Sequence, residues 1–228
     1  MLFACWAAKG GSGTTVVSCS LALVLARRHP AGALLVDLGG DAGAVLGCAD
    51  SDGPGLVSWL DRWERNEGPA LGAEPLAGLE VTAGEGLVLL PRGDGPLPAT
   101  QRRADLTVAL ANDERAVVVD CGTLGESAAG ADGWRLSLAE TATHSLLVTR
   151  LCYVALRRAV RAPLRPSGVV VISEPGRSLR PADVASALGV PVVADLAYDA
   201  AIARSVDAGL LGHRLPRALA RAAGALVA

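Results

Sequence analysis

The sequence predicts an α/β fold, an open, doubly wound, mostly parallel sheet with helices on both faces, and three observations carry the prediction. Short apolar runs bounded by Gly, Pro and Asp alternate with Ala-, Leu- and Arg-rich segments of helical period, the pattern of repeated strand–helix units. Aromatic residues make up only 3% of a chain that is 51% hydrophobic. The core is therefore built from Ala, Val and Leu, as in parallel strands buried on both faces. At 228 residues, against about 150 per domain, the expectation is a single domain spanning the whole chain, with no repeat, low-complexity tract or linker to divide it.

Taken in order, the run Leu2 to Ala8 predicts a strand and Thr14 to Arg28 a helix. A strand at Ala33 to Leu38 and a helix around Leu56 to Arg65 follow, and Asn66 to Gly84 reads as loop-rich before a strand at Gly86 to Leu90. A helix at Ala99 to Asn112 precedes the strand Ala116 to Cys121, and the strand His144 to Thr149 precedes a helix at Tyr153 to Arg161. Further strands fit Gly168 to Ile172 and Pro191 to Val193, with helices at Pro181 to Leu188, Ala200 to Ala208 and Leu215 to Val227. Six or more buried strands with helical crossovers place any ligand beyond the carboxyl ends of the strands.

Composition narrows the function classes. The formal net charge is −2, which argues against nucleic acid as the main partner, since such domains carry a basic surplus. Five cysteines, Cys5, Cys19, Cys48, Cys121 and Cys152, form no CxxC pair and are odd in number, fitting neither a disulfide framework nor a zinc site. A reducing cytoplasm is the expected address. Leu2 to Ala8 is too short for the apolar segment of a signal peptide, and no apolar stretch reaches the roughly 18 residues that span a bilayer. Any membrane contact is expected to be peripheral, at the inner face.

Lys9 is the only lysine in the sequence, every other basic residue besides histidine being Arg. It stands in the turn Ala8-Lys9-Gly10-Gly11-Ser12-Gly13-Thr14-Thr15, between the first strand and the first helix. Glycines there let backbone N–H groups converge on phosphate oxygens, and the helix N-terminus adds its dipole. A flexible ammonium also suits phosphate as a point charge. The standard phosphate loop reads GxxxxGK[ST]. Here Ala8 replaces its first glycine and Thr14 its lysine, while Thr15 keeps the hydroxyl that holds magnesium; a glycine-rich turn of this kind also occurs with no ligand.

These residues resemble the deviant Walker A loop of the ParA/MinD ATPases, in which an extra early lysine stands at the position of Lys9. A small residue in place of the loop lysine is similar to the CpaE/TadZ branch, pilus-localising relatives of MinD. Other segments resemble the family in order. Leu34-Leu35-Val36-Asp37-Leu38 is similar to its second strand with the Walker A′ aspartate, and Gly53-Pro54-Gly55-Leu56 to the turn that follows. Val88-Leu89-Leu90-Pro91 resembles its "LLPxG" strand end, and Val117-Val118-Val119-Asp120-Cys121-Gly122 its Walker B strand. Leu146 to Arg150, Leu188 to Val192 and Val206 to Gly209 resemble its "VVT", "LGxPV" and "AVxxG" segments.

The resemblance implies ATP or ADP with Mg2+ bound by Lys9, Gly10, Gly11, Ser12, Gly13, Thr14, Thr15 and Val16. It implies the metal at Thr15, Asp37 and Asp120, and catalytic roles for Lys9 and Asp37. It also implies a homodimer, with Lys9 reaching across to nucleotide held by the second subunit, or folding back onto phosphate in its own. The implied partner is a protein of a secretion, pilus or cell-positioning system. Two departures stand out. The family usually reads Asp-x-Asp at Walker A′, whereas Gly39 follows Leu38 here, and Thr14 replaces the lysine. Each lost contributor to phosphoryl-transfer electrostatics costs on the order of 10² or more in rate, so slow or absent hydrolysis is expected. Ser173-Glu174-Pro175 also lacks the Asn that members often place near the adenine.

Other features weigh less. Asp50-Ser51-Asp52 mimics the start of a calcium loop but runs into Pro54, and Asp61 stands where the loop needs Glu. His29, His144 and His213 have no nucleophile beside them in sequence. Arg157, Arg158, Arg161 and Arg165 form a basic helix side that reads as a solvated face. Arg214 to Val227 is amphipathic and basic, as is the membrane-targeting helix of MinD relatives, yet lacks an aromatic anchor and reads as a closing helix packed on the sheet. Three functions follow: a nucleotide-switched positioning dimer, a scaffold that has lost nucleotide, and a DNA-binding partition ATPase.

Overall fold

Alternate residues of the central strands feed two separate cores, which is why those strands are apolar without a break. The computed structural model describes residues 1–48, 55–65, 76–98, 103–125 and 131–227. Strand β1 (Leu2–Ala7) turns Leu2, Ala4 and Trp6 to one face and Phe3 and Cys5 to the other. Strands β2 (Ala33–Asp37) and β5 (Ala116–Thr123) divide their side chains the same way. Helix α1 (Thr14–Arg28) covers the Phe3 face with α2 (Ala42–Leu46), α8 (Ala200–Asp207) and α9 (Arg217–Ala225). The Leu2 face is covered by α3 (Leu56–Glu64), α4 (Arg103–Ala111), α5 (Ala131–Thr141), α6 (Tyr153–Val160) and α7 (Pro181–Leu188).

With β3 (Val81–Gly84), β4 (Leu87–Leu90), β6 (His144–Arg150), β7 (Gly168–Ser173) and β8 (Val192–Ala197), the strands form one eight-stranded sheet in the order β3-β4-β2-β5-β1-β6-β7-β8. Every pairing is parallel except β3 with β4. From β1 the chain winds outward to β2 and β4, returns to β5, and then crosses to β6. The carboxyl end of β1 is thus the point where winding reverses, and a crevice for ligand opens there.

Four elements differ from the sequence expectation. Val81–Gly84 is a strand inside the stretch read as loop-rich; it is a short, half-exposed antiparallel edge, and edges carry little apolar signal. Strand β8 starts one residue later than Pro191 and runs on to Ala197 with alternating burial, since one of its faces meets solvent. Ala131–Thr141 is a helix that the sequence reading lacked, and so is the short Ala42–Leu46. The start of the helix expected from Ala99 lies outside the described residues, and the helix is observed from Arg103.

Two sequence motifs meet in space. Leu56 N–H donates to Pro91 O and Val57 N–H to Arg92 O, both at 2.9 Å. Gly55 and Gly93 are pressed so close that a Cβ on Gly93, at φ +73°, would lie 2.7 Å from Gly55 Cα. This contact seats α3 on the end of β4. At the other end of the chain, Leu219 and Ala223 of α9 are buried in the Phe3-side core and Arg28 Nη1 reaches Gly224 O at 3.3 Å. The apolar face of that helix is spent on packing, as a closing helix requires.

Candidate functional site

Backbone geometry builds the loop after β1. Gly11 and Gly13 lie at φ +74° and +90°, left-handed values that only glycine adopts at little cost. Gly13 is the N-cap of α1, so the chain turns directly into a helix whose first N–H groups face the crevice. Ser12 Oγ donates to Lys9 O at 2.7 Å and closes the loop on itself.

Facing the loop are the ends of β2 and β5, whose register sets Asp37 beside Asp120. Both carboxylates are buried, at 3% and 0% exposure. The oxygens of Asp37 accept backbone N–H groups, Oδ1 from Gly40 at 2.6 Å and Oδ2 from Ala42 at 3.0 Å. Asp37 therefore shapes the turn into α2 besides lending charge. Asp120 Oδ1 accepts from Gly122 N–H at 3.2 Å and lies 3.3 Å from Ser18 Oγ, whereas Oδ2 is buried with no hydrogen-bond partner.

Burial pushes the Asp120 carboxyl up to about 6; the nearby Thr15 and Ser18 hydroxyls and the Gly122 N–H oppose the rise and the Asp37 charge adds to it. Burial likewise raises Asp37, against the N–H bonds that favour its charged form. Two carboxylates beside a threonine hydroxyl, one oxygen desolvated and unpaired, match what Mg2+ needs: one or two carboxylates, with phosphate oxygens and waters completing its shell. Among the described residues no group of three or more His, Cys, Asp or Glu gathers to hold a metal by itself. The Asp50 to Asp52 segment lies outside the described residues.

A cavity of about 390 Å³ lies against the loop, lined by residues 11–16, Gly39, Asp41, Gly122, Thr123 and Arg135. That is within the ordinary range for small-molecule sites, about 300–1,000 Å³. Five of the expected residues besides Val16 thus line one cavity: Gly11, Ser12, Gly13, Thr14 and Thr15. Lys9 and Gly10 do not line it. Lys9 is half-buried, its ammonium 3.3 Å from Gly10 O and within electrostatic reach of Cys152. Gly39 sits between the two carboxylates; a Cβ there would lie 3.0 Å from Asp120 Oδ2 and 3.5 Å from Asp37 Oδ1.

On the other flank of α1 a smaller, mostly apolar cavity of about 200 Å³ is lined by Gly13, Val17, Ile172, Leu196, Tyr198 and Ile202 among others. Arg150 stands 5.7 Å from the Tyr198 ring centroid and pairs with Glu174, which also binds Arg177. The sequence reading missed Arg135, Arg150 and Tyr198. The signal for Arg135 was the apolar spacing Trp134 to Leu138, which marks a helix beside it. A larger hollow of about 1040 Å³ lies away from this site, at the amino ends of β2 and β5. Its Arg115 is held by Glu80 and Asp113 at 2.7 and 2.8 Å, so its charges are spent on joining β3 to β5.

A glycine loop running into a central helix, with two strand-end carboxylates opposite, defines a phosphate-loop α/β fold. The particular fold is that of the ParA/MinD ATPases. No family model and no curated protein matches the sequence, but solved structures match over nearly its whole length. A ParA family ATPase from Chlorobium tepidum TLS superposes with a TM-score of 0.72 at 19% identity, covering 99% of this chain and 97% of that one. The septum site-determining protein MinD from Pyrococcus horikoshii OT3, complexed with Mg-ADP, gives 0.73 at 20% identity, with 99% and 93% covered. An ATP complex of a variant of Cyanothece McdA gives 0.68 at 15% identity, with 99% and 95% covered.

Proposed function

We propose that the chain is a nucleotide-binding positioning factor, a dimer switched by ATP and related in role to the CpaE/TadZ branch, with hydrolysis slow or absent. The observation that supports it above the others is the buried Asp120 Oδ2, which has no hydrogen-bond partner and lies behind Thr15, a residue of the cavity wall. An orphaned carboxylate oxygen in the core costs free energy, and a divalent cation brought with phosphate would remove that cost. Gly11, Ser12, Gly13, Thr14 and Val16 would cradle the phosphates, and Thr15 and Asp120 would hold Mg2+ with Asp37 behind them. When bound, Mg2+ neutralises phosphate charge.

Lys9 does not line the loop cavity, which supports the reading in which it reaches nucleotide of a second subunit. Thr14 and Gly39 remove a cation and a carboxylate from the phosphoryl-transfer shell, hence the slow turnover. Five free cysteines support a cytoplasmic address, and a protein partner is expected over DNA because the net charge is −2. Among the described residues no helix is long and apolar enough to cross a membrane, and the packed face of α9 offers no anchor. Isothermal titration with ATP and Mg2+ tests the reading. Binding tighter than millimolar is expected; a weaker constant in a folded sample favours the nucleotide-free scaffold.

A further inference from the structure

We propose that Arg135 is this chain's own phosphate-binding cation, supplying from α5 the positive charge that Thr14 does not supply from the loop. The inference rests on the nucleotide reading above and deepens it. Among the described residues lining the loop cavity, Arg135 is the one cation, while Asp41 lines the same wall and Asp37 and Asp120 stand behind it. Polyphosphate entering a site with three carboxylates meets repulsion that a single Mg2+ only partly offsets. A guanidinium at the wall opposes that field as a fixed positive charge.

Packing fixes where that guanidinium sits. Trp134 and Leu138 are buried at 1% and 0% exposure, and the indole N–H of Trp134 donates to Pro98 O at 2.7 Å. These contacts lock the rotation of α5, and Arg135, the next residue round the helix, reaches the carboxyl ends of β2 and β5. There Nη2 donates to Leu38 O at 2.8 Å and Nη1 to Thr123 O at 3.5 Å. These two carbonyls orient the plane of the fork. Arg135 thereby joins the turn after Asp37 to the strand end after Asp120, the two segments that carry the metal-binding carboxylates.

The test compares wild type with Arg135→Lys, Arg135→Gln and Arg135→Met by titration calorimetry with Mg·ATP and Mg·ADP, and checks folding by circular dichroism and melting temperature. Gln and Met remove the charge and are too short to reach Leu38 O as Nη2 does, whereas Lys keeps the charge without the fork, so Lys set against Gln separates charge from scaffolding. Gln and Met are expected to bind ATP about 10- to 100-fold more weakly, with Lys within several-fold of wild type although all three variants give up the contact with Leu38 O. ATP affinity of Arg135→Gln within twofold of wild type, or a loss in Arg135→Lys as large as in Gln, overturns the proposal. Failure of wild type itself to bind ATP overturns the nucleotide reading, a result distinct from a variant that binds normally.

Discussion

Replacing Asp120 by Asn is expected to stabilise the ligand-free protein at pH 8 and to do almost nothing at pH 4. In the folded chain burial holds this carboxyl at about 6, against an ordinary value of 3.8. The unfolded chain gives up the proton first as pH rises, so the folded state binds more protons between the two values. The sign follows: stability is fully present below about 3.8, falls as pH rises through about 6, and then levels off. That rise amounts to roughly 3 kcal/mol of lost stability above neutrality. Asn keeps the acceptor used by Gly122 N–H and Ser18, and its amide nitrogen sits in the negative field of Asp37. For a chain of this size the gain corresponds to roughly 6–12 °C in melting temperature. Urea unfolding of both proteins at pH 4 and pH 8 without divalent ions measures it. A variant less stable than wild type at pH 8, or a difference that ignores pH, refutes the reasoning. Mg·ATP should then stabilise wild type and not the variant.

Lys9→Ala is expected to stay monomeric with ATP bound while wild type dimerises, the dissociation constant moving by roughly two to four decades for two charge-assisted contacts per dimer; analytical ultracentrifugation reads it, and an ATP-independent state equal in both proteins rules out the switch. Phosphate release at saturating ATP should run well below about 1 per second, the lower end of ordinary turnover. Gly13→Ala should abolish ATP binding and cost about 1–3 kcal/mol of stability, because φ +90° strains any L side chain. The damage is to backbone and not to ligand space, since the added Cβ finds nothing closer than Ile172 Cγ1 at 4.0 Å, and calorimetry beside a melting curve separates the two. Gly93→Ala adds a 2.7 Å clash with Gly55 to a left-handed φ, and should lose about 2–4 kcal/mol in urea unfolding.

What could be read from the sequence was set by burial. Leu34 to Asp37 and Ala116 to Asp120 are buried on both faces, so an unbroken apolar run announced each strand, and the acid ending each run marked the crevice. The loop was equally legible, because Gly11 and Gly13 are required by backbone angles that no other residue tolerates well. Edges were not: Val81–Gly84 and the end of β8 have one face in solvent and too few residues to show a period. Nor was α5, where Ala, Gly and Ser dilute the helical pattern around Trp134 and Leu138. The unread helix is the one that carries Arg135, and the consequence is more than an omitted element. From the loop alone, Thr14 in place of lysine and Gly39 in place of aspartate read as two losses. In three dimensions Gly39 leaves room for two buried carboxylates that already repel one another, and a third carboxylate there would raise the cost of both. An arginine from a distant segment meanwhile stands at the cavity where Thr14 brings no charge. Motif residues are legible because they are local, whereas a charge supplied across the sheet becomes visible only when strand order brings β2, β5 and α5 to one end.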